Sequence, residues 1–124
     1  MKTKEDILRE CDFFTGIPAS SLKEWIAQIP KDKHCLCTNE YEAIGIAFGA
    51  WLAGKKPCVY MQSDGIGVCL NALTSLVLPY GAEICLVIGK RTDGVHQILG
   101  HGVEVILETV VGYKNYVMHE RTSD

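Results

Sequence analysis

The chain has 124 residues, about one domain's worth, and a chain of this length buries roughly two-thirds of its unfolded surface on folding. Apolar residues make up 48% and charged residues 22%, which excludes disordered, collagen-like and coiled-coil chains. Twelve Lys and Arg against fifteen Asp and Glu leave a net charge of −3, so nothing here forms a basic footprint for nucleic acid. The opening run Met1-Lys2-Thr3-Lys4-Glu5-Asp6 is charged where a signal peptide is apolar. The longest apolar stretches are broken by Pro79, Gly81 and Glu83, too early to span a bilayer. A cytoplasmic protein with no membrane span is expected, its six cysteines kept as thiols.

Thr3 to Cys11 reads as a first helix, with Ile7 and Leu8 on its buried side. Phe13-Phe14-Thr15 is a strand that breaks at Gly16-Ile17-Pro18. Ser20 or Ser21 caps a helix carrying Leu22, Trp25, Ile26 and Ile29, and Pro30 stops it. His34 to Cys37 is predicted as the second strand. Asn39 then caps a third helix, Glu40 to Ala53, with Glu42 placed for a capping box. This helix is apolar nearly all round, which predicts burial on every side and hence a subunit interface. Gly45, Gly49 and Ala53 form a stripe with almost no side chain, and each mid-helix glycine costs about 1 kcal/mol relative to alanine.

A strand at Cys58 to Met61 follows, then the turn Gln62-Ser63-Asp64-Gly65-Ile66-Gly67 and a helix from Val68 to Leu78. Ile84 to Ile88 is the fourth strand, Gly102 to Val111 the last helix closed by Gly112, and Tyr113 to Met118 the last strand. The pattern predicts a single α/β domain over residues 1–124. Its architecture is three-layer α/β/α, with a mostly parallel sheet of about five or six strands. The functional rim of such a sheet lies at the C-terminal strand ends. Gly16-Ile17-Pro18, Thr38-Asn39-Glu40, Gln62 to Gly65 and Lys90 to His96 all fall there.

Several chemistries are excluded along that rim. Gly65-x-Gly67 has Leu70 where a dinucleotide fingerprint needs its third glycine. Asp64 sits where a phospho-acceptor would, but no acidic pair follows the first strand. His34-Cys35-x-Cys37 has no second ligand pair, and strand alternation would separate His34 from Cys35, so no metal site is expected on this chain. Glu40 has two readings: an acid favoured by the helix dipole, or a carboxylate that shares a proton at the mouth of an apolar helix.

Three segments carry a resemblance: Gly16-Ile17-Pro18-x-Ser20-x-Leu22-Lys23; Asn39-Glu40-x-Glu42-Ala43 running to Gly54-Lys55-Lys56-Pro57; and Tyr60-Met61-Gln62-Ser63-Asp64-Gly65-x-Gly67 into Asn71-Ala72-Leu73. Together with His96-x-x-x-Gly100 they cover nearly the whole chain. The chain resembles the pyrimidine-binding domain, or alpha subunit, of the thiamine-diphosphate-dependent phosphonopyruvate and sulfopyruvate decarboxylases. The resemblance implies that Glu40 matches the glutamate hydrogen-bonded to N1′ of the aminopyrimidine. That bond favours the imino tautomer that removes the thiazolium C2 proton. It also implies Gly65 and Gly67 against the cofactor, with Gln62 facing it or satisfying the turn. His96 reads as a second catalytic group or a solvated loop histidine, and Ser20 as a substrate contact or a helix cap. Arg91, the arginine of the rim, is the candidate for an anionic substrate group, with Asp64 beside it as a departure from the family. Magnesium and the diphosphate would be held by a Gly-Asp-Gly…Asn element, which these residues lack.

A diphosphate-binding beta subunit in a hetero-oligomer is therefore expected, with CO₂ and an aldehyde as products of a 2-oxo acid. The turn departs from the family's usual Asn-Ser-Gly-x-Gly-Asn, and the loop between Ile88 and His96 is shorter. Those departures keep open a non-catalytic regulatory or scaffold subunit. A stand-alone small-ligand module is disfavoured by the apolar helix.

Overall fold

A computed structural model describes residues 2–120. Four parallel strands form one sheet in the order β1 (Phe13–Gly16), β2 (Pro57–Gln62), β3 (Cys85–Lys90), β4 (Tyr116–Glu120). Alternation along β2 and β3 sets the two layers. Cys58, Tyr60, Cys85 and Val87 face one side, where α1 (Lys4–Glu10) and α2 (Lys23–Ile26) bury Ile7 and Trp25. Val59, Met61, Leu86 and Ile88 face the other, under α3 (Glu40–Leu52), α4 (Ile66–Ala72) and α5 (Gln97–Glu104). The three-layer architecture is as expected, with fewer strands.

The missing strand is His34–Cys37. It touches the sheet at one parallel bridge, His34 to Phe14, with the Cys35 amide donating to the Phe14 carbonyl at 2.9 Å. Leu36 is 85% exposed and its neighbours are only half-buried, so the segment lacks a fully buried face to hold a longer ladder, and the α3 cap begins two residues after Cys37. The bridge nevertheless fixes the topology. From β1 the chain passes outward to the His34 edge by way of α2, then returns across the other face through α3 to β2 on the opposite side of β1. The reversal makes the C-terminal ends of β1 and β2 the switch point, where open α/β sheets bind ligands.

Local chemistry explains the helices that frame this point. Thr3 closes a full capping box with Asp6 on α1. Asn39 Oδ1 accepts from the Glu42 amide at 2.8 Å, while the Glu42 carboxylate reaches back to the Thr38 amide at 2.8 Å. α3 therefore starts at Glu40. Its burial is one-sided: Ala43, Ile44 and Ala47 are fully buried, whereas Tyr41, Gly45, Gly49 and Leu52 form an exposed stripe. A Cβ on Gly45 or Gly49 would meet nothing within 4 Å. The expected burial on every side is not met within this chain.

The last two helices differ from the sequence expectation in length. α4 begins at Ile66, continues through a π-helical stretch, Leu73–Val77, and ends in a turn at Leu78–Tyr80. Gly81, at φ 66°, terminates it. α5 begins at Gln97, five residues before the predicted start, and runs on through the π-helical Val105–Val111 to Gly112. Tyr113 belongs to the core rather than to β4: it is 3% exposed, and its hydroxyl donates to the Ile84 carbonyl. Among the described residues no helix is long and apolar enough to cross a membrane.

Candidate active site

The turn after β2 is built around Glu40. Ser63–Gly65 forms a single 3-10 turn leading directly into α4. A Cβ placed on Gly65 would lie 2.7 Å from Glu40 Cγ and 2.8 Å from its Oε2, so only glycine lets the turn pass this close to the glutamate. None of the ion pairs among the described residues involves Glu40. Its other neighbour is Cys69 in the first turns of α4. Burial first, and the Glu40 charge second, push that thiol up to about 12. A neutral thiol donating to Met61 Sδ at 3.8 Å makes this wall apolar.

Gln62 closes β2 beside this turn. Its Nε2 is buried and has no hydrogen-bond partner among the described residues. An unpaired buried amide costs roughly 1–3 kcal/mol, which marks a place where an acceptor is missing. Gly67 is the second residue of α4, exposed, where a Cβ would come 3.2 Å from Leu99 Cδ2. It positions α4 against α5 rather than contacting Glu40.

Asp64 and His96, expected on separate loops, are brought together: His96 Nδ1 lies 3.1 Å from Asp64 Oδ2. Arg91 turns away from the turn. Its Nε donates to the Asp93 carboxylate at 3.1 Å and to the Asp93 carbonyl at 3.3 Å. Lys90 is held by Glu104 at 2.5 Å and Glu120 at 3.3 Å, and these carboxylates raise its ammonium above the ordinary lysine range. Ser20 stands apart, in the 3-10 turn after β1. With Pro18, Ala19, Lys23 and Ile26 it lines a cavity of about 280 Å³.

Two residues near the rim were not singled out by the sequence. Ser63, fully buried, accepts the Arg91 amide at 3.0 Å and so ties the β2 and β3 loops together. Lys23 enters no ion pair among the described residues and sits beside Ser20. A buried polar residue between two loops leaves no local pattern, whereas Lys23 was legible in the Gly16–Lys23 segment. The cysteine cluster is dispersed: Cys35 Sγ points to Leu36 O, Cys37 Sγ to Gly16 O, and His34 Nε2 meets Tyr60 OH at 2.5 Å. Among the described residues no group of three His, Cys, Asp or Glu could hold a metal.

No protein-family model matches the chain. It is 37% identical over 105 residues to the sulfopyruvate decarboxylase subunit alpha of Methanocaldococcus jannaschii, covering 78% of this chain and 62% of that protein. The corresponding subunit of Methanococcus maripaludis is 36% identical over 107 residues, with 80% and 64% covered. A phosphonopyruvate decarboxylase of Streptomyces viridochromogenes is 33% identical over 96 residues, with 68% of this chain and 24% of that enzyme covered.

The chain belongs to the sulfopyruvate and phosphonopyruvate decarboxylase family.

It spans a little under two-thirds of the length of the two alpha subunits of that family. An X-ray structure assigned to the thiamin diphosphate-dependent enzymes, from Mycobacterium smegmatis, superposes with a TM-score of 0.60 at 23% identity. It covers 73% of this chain and 19% of that one. That likeness shows the fold.

Proposed function

We propose that residues 1–124 form the pyrimidine-binding domain of a thiamine-diphosphate-dependent decarboxylase of this family, acting on sulfopyruvate or phosphonopyruvate. The observation that carries the reading is the Gly65 contact, which keeps a free carboxylate at the switch point against a wall with no side chain. The fit to an aminopyrimidine is chemical. A flat heteroaromatic ring with a basic nitrogen needs one carboxyl group to share a proton, backbone close enough to stack beside, and an amide donor such as Gln62 Nε2. Thiamine diphosphate, when bound, supplies the electron sink that allows CO₂ to leave.

The chain's own residues then divide the work. Glu40 holds or shares a proton at the ring nitrogen, and its apolar surroundings strengthen that interaction. Gly65 sets the distance. Ser20 and Lys23 lie on the β1 side of the switch point, where an ammonium beside a hydroxyl suits a sulfonate or phosphonate. The alpha-subunit names of the relatives, and the exposed apolar stripe of α3, support a second chain that brings the diphosphate site and Mg²⁺. The scaffold alternative rests on Asp64, Val68 and the short loop before His96; of these, the Asp64 carboxylate faces His96 rather than standing alone.

The test is CO₂ release from the complex isolated through a tag on this chain. Sulfopyruvate, phosphonopyruvate and pyruvate would be compared with and without thiamine diphosphate and Mg²⁺. Cofactor-dependent release from one of the first two is the expected result. A stable complex inert toward all three would overturn the catalytic reading in favour of a scaffold.

A further inference from the structure

Three contacts order the loop after β3 beside the turn after β2, and two of them are explained by the fold. The Arg91 amide donates to Ser63, and Gly100 at the end of the first turn of α5 lies flush on the Arg91 carbonyl, where any Cβ would collide. These two fix the path of the loop. The third is the Asp64–His96 contact, and both side chains are nearly half exposed, 44% and 47%. An exposed pair of this kind adds only about 0–1 kcal/mol to stability, so the fold does not account for it.

Its place does. Asp64 is the residue before Gly65, on which the Glu40 side chain rests, so His96 is held by the neighbour of the glycine that seats the carboxylate of the site. The loop's other cations are engaged: Arg91 by Asp93, Lys90 by Glu104 and Glu120. His96 is thus the group of this loop able to exchange a proton. A carboxylate beside one ring nitrogen selects the tautomer that carries its proton there and fixes the plane of the ring.

We propose that Asp64 is a positioning residue: it keeps the His96 proton on Nδ1 and leaves Nε2 as the ring nitrogen presented to the substrate. The proposal rests on the decarboxylase reading for the word substrate, but the pairing itself does not.

The test uses the assembled enzyme with this chain labelled with ¹⁵N-histidine. Long-range ¹H–¹⁵N spectra show which ring nitrogen carries the proton, whether or not the enzyme turns over. His96 is expected to carry it on Nδ1, to keep it there in Asp64→Asn, whose amide oxygen can accept, and to lose that preference in Asp64→Ala. In the assay, Asp64→Ala and His96→Gln should each lower kcat/KM about tenfold or more. The double variant should be no worse than His96→Gln alone, because the two residues act as a unit. Asp64→Asn should stay within about threefold of the parent, and thiamine diphosphate affinity should not move in any of them. A wild-type His96 protonated on Nε2, or additive losses in the double variant, would overturn the proposal. Absence of turnover with every acid, alongside the expected spectra, would instead strike the decarboxylase reading and leave the pairing standing.

Discussion

Glu40 and His96 sit on the same rim but are held by opposite means. Glu40 opens a capped helix whose buried face is Ala43, Ile44 and Ala47, and its side chain rests on a glycine whose replacement by anything larger would push it aside. His96 ends a short turn flanked by Val95 and Ile98, 88% and 85% exposed, and among the described residues its side chain pairs with Asp64. Backbone and core packing position the first group, and one polar contact positions the second. The carboxylate is therefore fixed before anything binds, while the imidazole depends on a pair that solvent weakens. Two large exposed side chains beside His96 also mean that its surroundings change most when the rim is covered.

Substitutions can break that comparison in order of size. Glu40→Gln keeps shape and removes the proton-sharing group, so turnover of the assembled enzyme should fall by about 10²–10⁴-fold with the fold intact by circular dichroism. Gly65→Ala leaves the carboxylate in place chemically but drives a methyl to 2.7 Å from Glu40 Cγ, and about 10²-fold should be lost through misplacement. A Gly65→Ala enzyme of normal activity would show that the close approach has no role. Asn39→Ala tests the cap alone. It should destabilise the chain by about 1 kcal/mol, read as a lower midpoint in urea, with a smaller loss of activity than either change above.

Two further changes act away from the rim. Tyr113→Phe removes a buried donor to Ile84 O, but Asn115 Nδ2 still reaches that oxygen at 3.0 Å. A loss of about 1 kcal/mol with unchanged kcat is expected. The smallest effect concerns pH. Burial holds the His34 imidazole below its ordinary 6.5, so the unfolded chain takes up a proton that the folded chain refuses. Stability should be complete above pH 6.5 and decline as the pH falls below it toward the folded value. His34→Gln should flatten that decline in thermal unfolding followed from pH 7.5 to 5.

Much of this arrangement was legible in the residues. The apolar runs at 58–61 and 84–88 mark strands buried on both faces, and Asn39-Glu40-x-Glu42 marks the start of α3 from capping chemistry alone. The failures have physical reasons. His34–Cys37 has β-like composition, but strand length is settled by partners, and among the described residues it forms one backbone bridge, to Phe14. Sequence also does not show that Arg91 pairs with Asp93, two residues on. The Ser63–Arg91 tie and the seat of Gly100 join positions far apart in sequence, and no local pattern carries them.

The open stripe on α3 bears on how long the chain lasts as well as on what it meets. Gly45 and Gly49 together forgo about 2 kcal/mol that alanine would add to the helix, with nothing among the described residues lying against them to justify the loss. A difference of that size raises the unfolded fraction roughly thirtyfold. Protein that is made without a cover for this face is accordingly the first to reach the proteases, and covering it extends the lifetime of the chain by mass action.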